Sequence, residues 1–244
     1  LKTSALNAPK GRARKFKHIV LDEAQELSSV ELQVISKFLA PGGQVTVAGD
    51  SAQQIDKTTN FISWDHVLSN LGAQDASASE LAISYRSPST IVEFSHHILG
   101  PLAPTNLPSA GRVGSPVRID HLPHLEQACL VLYEALSDLV IAEPKASIAI
   151  ICNEMKTAGE IYSALREIGP VRLIVDFEFN FQPGIDISTV DQVKGLEFDY
   201  VVIPDANIEN YPVRNRTRKR LYLAATRAIH QLWVLYSGEK SHLI

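Results

Sequence analysis

Short apolar runs bounded by turn residues alternate along the chain with longer stretches whose apolar positions recur every three or four residues. The first pattern is that of strands buried on both faces and the second that of amphipathic helices. Strands are predicted at 16–21, 44–48, 80–83, 116–120, 147–152, 171–175, 185–189, 199–203 and 231–236. Helices are predicted near 28–39, 63–71, 88–99, 123–141, 154–168 and 217–228. Ser28 with Glu31 three residues on reads as a capping box, and Ser87 followed by Pro88 as another helix start with Pro at the first position. The alternation predicts an α/β fold, a parallel sheet with helices on both faces. The stretch from Gly100 to Pro116 is rich in Pro, Gly and Ser and interrupts the alternation, so a domain boundary is expected there, with residues 1–110 before it and 111–244 after.

Composition leaves this picture intact. Apolar residues make up 45% of the 244 residues and charged residues 20%, ordinary for a globular chain with a real core. No apolar run approaches the roughly 18–20 residues that span a bilayer. The two cysteines, Cys129 and Cys152, have no metal-ligand spacing; Cys152 closes an apolar run and is expected in the core, a usage that fits a reducing cytoplasm. The net charge of −4 argues against a uniformly basic nucleic-acid binder. Charge is uneven, however: Arg214, Arg216, Arg218, Lys219, Arg220 and Arg227 fall in a stretch without an acid. Such a run is either a solvated face or a patch that meets phosphate.

Chemistry-bearing fragments sit at the ends of the predicted strands. Asp22-Glu23-Ala24-Gln25 follows the first strand, and Val47 to Gln53 (VAGDSAQ) closes the second. Then come Ser84-Tyr85-Arg86-Ser87, Thr189 to Phe198 (TVDQVKGLEF) and Leu221 to Ala228 (LYLAATRA). Carboxylates at strand tips are suited to a nucleotide–Mg²⁺ complex, one to hold the cation and one to handle water. Asp50 and Gln53 emerge at the same sheet edge, where parallel sheets bind ligands.

Together and in this order the five fragments resemble motifs II to VI of superfamily 1 helicases of the UvrD/Rep type, over about Lys17 to Leu235. The resemblance implies a P-loop NTPase fold, part of a first RecA-like domain followed by a second, with ATP and Mg²⁺ as cofactors. The short interval between the helix ending near Ile168 and the strand at Ile185 leaves no room for the large insertion some members carry, so the second domain is expected to be compact. No G-x-x-x-x-G-K-[ST] phosphate cradle occurs in the sequence. With the start at Leu1, this suggests the C-terminal portion of a longer protein, inactive by itself.

By the same resemblance, Asp22 holds Mg²⁺, Glu23 is the general base for the attacking water, and Gln53 senses the γ-phosphate. Gln25 and Asp50 lie beside the site, and Tyr85 stacks on adenine. Arg86 and Arg227 meet the charge that develops on the γ-phosphate. Gly195 lets backbone approach phosphate, Glu197 lies near the sugar, and Thr189 and Lys194 lie near the nucleic-acid backbone. Two positions depart from the pattern: Asp56 replaces an aromatic in motif III, and Asp191 replaces a histidine in motif V. Both are expected in the strand channel, where a carboxylate opposes phosphate. Phe61 and Trp64 are expected in the core rather than as a displaced stacking platform. Arg216 and Thr217 stand where acids usually precede motif VI.

These features imply an ATP-dependent helicase or translocase on single-stranded DNA. The DEAQ, GD, YRS and KGLEFD run looks most like the helicase-IV-like branch that includes the RNA-polymerase-associated helicase D proteins. A polymerase-binding remodelling factor that does not unwind is the second reading, and a binding module without hydrolysis a third, which the retained Asp22, Glu23, Gln53, Arg86 and Arg227 disfavour.

Overall fold

The computed structural model describes residues 14–56, 59 and 61–244. The chain divides into two compact units, Leu1–Ser79 and Glu80–Ile244. In the first, strands β1 (Phe16–Leu21) and β2 (Leu39–Val47) pair in parallel. Helices α1 (Ser29–Ser36) and α2 (Trp64–Leu71) cover them. The core is Ala24, Leu32, Val67 and Leu71, with Leu21, Ile35, Val45, Val47, Phe61 and Trp64 packed against it. Phe61 and Trp64 meet edge to face with centroids 5.0 Å apart, in the core role expected of them. The Ser28–Glu31 capping box is formed in full. β1 was expected to be buried on both faces; instead Val20 is 66% exposed.

The second unit carries a six-stranded, wholly parallel sheet. Its strands are β5 (Arg118–His121), β6 (Ser147–Cys152), β7 (Val171–Leu173), β8 (Gly184–Thr189), β9 (Phe198–Ile203) and β10 (Ala228–Tyr236), in the order β5-β10-β9-β6-β8-β7. Burial that is continuous along β6 and β8, where successive side chains point to opposite faces, shows that both faces are covered. Ile148, Ile150, Cys152, Val202, Trp233 and Leu235 join one core with helices α4 (Leu125–Ala142) and α5 (Met155–Leu165). The alternate residues Ala149, Ile151, Val201, Ile203, Leu232 and Val234 are buried as well, outside that cluster. Helices α3 (Ser89–Leu99) and α6 (Asn215–Ala225) pack on each other and on β10. This is the α/β architecture expected from the pattern.

Two local readings change. The Pro-rich stretch contains a short strand, β4 (Ser109–Ala110), paired in parallel with β3 (Ile83–Ser84). Arg112 donates to the carbonyls of Arg86 and Ile229, so this stretch is tied into the second unit and the division between units falls before it. Ser87 does not cap α3, whose N-cap is Pro88; its buried hydroxyl donates to the Ala228 carbonyl at 2.8 Å. Cys152 is fully buried, and burial pushes its thiol well up. Among the described residues no helix is long and apolar enough to cross a membrane.

Candidate functional site

In the first unit, Asp22 leaves the tip of β1 exposed, and its Oδ1 accepts from the Glu23 amide at 2.9 Å. Glu23 has left-handed backbone angles, φ 51° and ψ 38°, a conformation that costs a side-chain-bearing residue about 1–3 kcal/mol and clusters at functional sites. The Ala24 amide donates to the Ala48 carbonyl, and the Ala48 amide to that of Leu21, which brings the β1 and β2 tips together. Gln25 is fully buried and joins them: its Nε2 donates to Glu23 Oε2, and its Oε1 accepts from the Asp50 amide at 3.2 Å. Gly49 is required beside it, because a Cβ there would lie 2.1 Å from Gln25 Oε1. Asp50 caps the next turn through Ala52 and accepts from Gln53 Nε2 at 3.1 Å. The expected nucleotide residues of this unit therefore form one linked cluster at a carboxyl edge, with Gln25 as its organiser. Asp56 is exposed, and its carbonyl accepts from Gln54.

In the second unit the three later fragments are woven together. Arg86 pairs with Glu197 at 2.5 Å, both partly exposed. Tyr85 beside it is 81% exposed, an open ring face next to a cationic side chain. Gly195 has φ 72°, the left-handed conformation that favours glycine in this turn. Arg227 is buried, unlike a finger extended into solvent. Its guanidinium donates to the carbonyls of Leu223 (3.1 Å) and Leu196 (3.0 Å) and to Thr226 Oγ1, while its own carbonyl accepts from the Phe198 amide. Thr189 is buried, with Gln192 Nε2 3.4 Å from its hydroxyl; Lys194 is partly exposed on the same turn.

Asp191, expected to face the channel unopposed, is paired: both its carboxylate oxygens accept from Arg220 Nη1, at 2.6 and 2.7 Å. The basic run is likewise not one patch. Arg220 and Arg227 are buried, Arg218 donates to the Ile98 carbonyl at the end of α3, and only Arg214 and Arg216 of the run are exposed.

Sequence reasoning missed Gln192, Asn153, Asp205 and Arg220 as organisers. Gln192 accepts from the Phe177 amide and donates to the Ile174 carbonyl, fixing the segment before β8 on the turn after it. Asp205 accepts from the Asn153 amide at 2.8 Å, and burial pushes its carboxyl up to about 7. A carboxylate separated by one residue from the end of an apolar strand was the available signal for Asp205.

Residues 184–235 match the UvrD-like helicase C-terminal domain. The chain is 27% identical over 263 residues to a protein of Acanthamoeba polyphaga mimivirus provisionally named an ATP-dependent DNA helicase. That match covers 94% of this chain and 36% of the relative, so the chain spans little more than a third of its length. The solved C-terminal domain of a possible DNA helicase from Lactobacillus plantarum superposes with a TM-score of 0.54 and 30% identity, over 66% of this chain and 91% of that one.

Proposed function

Since the chain belongs to the UvrD-like helicase family, we propose that it is the C-terminal motor portion of an ATP-dependent DNA helicase, coupling ATP hydrolysis to movement on single-stranded DNA. The observation that carries this is the linked cluster of Asp22, Glu23, Gln25, Asp50 and Gln53, joined through the Gln25 amide. Asp22 offers a hard oxygen at a strand tip, the ligand Mg²⁺ takes. Among the described residues no three His, Cys, Asp or Glu side chains are placed to hold a metal ion together, so Asp22 would share the cation with phosphate oxygens, the usual way Mg²⁺ is held. When bound, Mg²⁺ neutralises charge on the phosphates. Glu23, its backbone strained and its carboxylate oriented by Gln25, takes the proton of the attacking water. Gln53 positions that water, and Arg86 and Arg227 meet the charge that develops on the γ-phosphate. Tyr85 supplies the adenine platform and Glu197 the sugar contact, while Gly195, Thr189 and Lys194 line the motif V turn toward the strand.

On this reading the catalytic residues divide between two RecA-like domains, 1–110 and 111–244, with Tyr85 and Arg86 of the first lying in the second compact unit, where Arg86 meets Glu197. The helicase-IV-like placement and an RNA polymerase partner rest on the DEAQ, GD, YRS and KGLEFD run.

The test is strand displacement by the complete protein on a duplex with a single-stranded tail, together with a salt series on binding. A DNA motor unwinds or translocates with ATP, and its strand affinity falls steeply with salt. ATP hydrolysis indifferent to DNA, with polymerase binding that persists without DNA, would replace this reading with the remodelling one.

A further inference from the structure

Asn153, Asp191 and Asp205 follow β6, β8 and β9, three neighbouring strands of the sheet, so all three stand at its carboxyl edge. In an open parallel sheet this edge is the ligand crevice. Here the protein's own guanidinium lies against it. Arg220, 7% exposed, donates to Asp191 through Nη1, to the Asn153 carbonyl through Nη2 at 3.2 Å, and to Asn153 Oδ1 through Nε at 3.3 Å. Asn153 in turn donates its amide to Asp205. One side chain of α6 thus holds the ends of two strands directly and a third through Asn153.

The consequence lies in how the turn from Thr189 to Phe198 is fixed. Its leading part is held on α6 by Arg220 through Asp191. Its trailing part is held at the end of the same helix by Arg227, through the Leu196 carbonyl and the Phe198 amide. A segment held at two points on one helix moves with that helix. We propose that Arg220 is a positioning residue that makes the motif V turn and α6 one body, so that displacement of the turn by a bound single strand is delivered to Arg227. Asp191, which departs from the family pattern, is then the partner of a buried arginine rather than a repulsive group in the channel. This assignment rests on the helicase reading above.

The test is ATP turnover by the complete protein with and without oligothymidylate, alongside thermal unfolding, for wild type, Asp191→Asn and Asp191→Glu. The Asp191 side chain is 56% exposed, so its neutral variant is expected to fold. Asp191→Asn should lower the ratio of DNA-stimulated to basal turnover about fivefold, within the range of coupling effects, and Asp191→Glu should restore most of it. A lower melting temperature with an unchanged ratio would show a merely structural pair and overturn the proposal. A wild-type protein that hydrolyses ATP without responding to DNA would overturn the helicase reading itself, which the variants do not touch.

Discussion

At Glu23 the chain holds a side-chain-bearing residue in left-handed backbone, directly after a strand tip and beside a fully buried amide side chain. Strain of this kind persists only where surrounding bonds over-determine it, and here the Ala24–Ala48 hydrogen bond and the Gln25 link do so. Gln25→Ala should release Glu23 and leave the Asp50 amide without its side-chain acceptor. It should lower kcat of the complete protein by about 10²-fold, the order lost when a proton-transfer group is misplaced, while nucleotide binding, read by a fluorescent analogue, changes little. Arg227 belongs to the same scale with a different expectation. Because it is buried and holds two backbone carbonyls, Arg227→Ala should lower kcat about 10³-fold and also lower the melting temperature. A variant that keeps wild-type stability but loses turnover would mean that the guanidinium is not held this way.

Elements were legible in the sequence where periodicity was strong. β6, read at 147–152, forms there, and β8 to β10 begin within a few residues of their expected starts. β3 shrank to two residues, and β4 inside the Pro-rich stretch was invisible, because such short pairing is set by partners rather than pattern. The motif positions were readable, but their bonds were not. Ser87 meets a carbonyl 141 residues away, and Asp191, read as an unopposed carboxylate, meets Arg220 29 residues away. The same blindness hid Asp205, whose burial at the end of β9 raises its pKa from 3.8 to about 7. The folded state therefore holds a proton there that the unfolded chain has lost. The stability this contributes is full below about pH 4 and is lost as pH rises through about 7. Asp205→Asn should flatten that decline, as measured by denaturant unfolding between pH 5 and 8; an unchanged slope would place the titration elsewhere.

At the scale of the whole molecule, five sequence fragments resolve into two clusters, one in each compact unit, each tied together by hydrogen bonds or ion pairs. The most direct measurement is steady-state ATP hydrolysis by the complete protein, with and without single-stranded DNA, for wild type and Glu23→Gln. The account predicts hydrolysis that rises with DNA in the wild type, and a Glu23→Gln protein that binds nucleotide yet turns over at least about 10²-fold more slowly. Hydrolysis that ignores both the DNA and the substitution would contradict it.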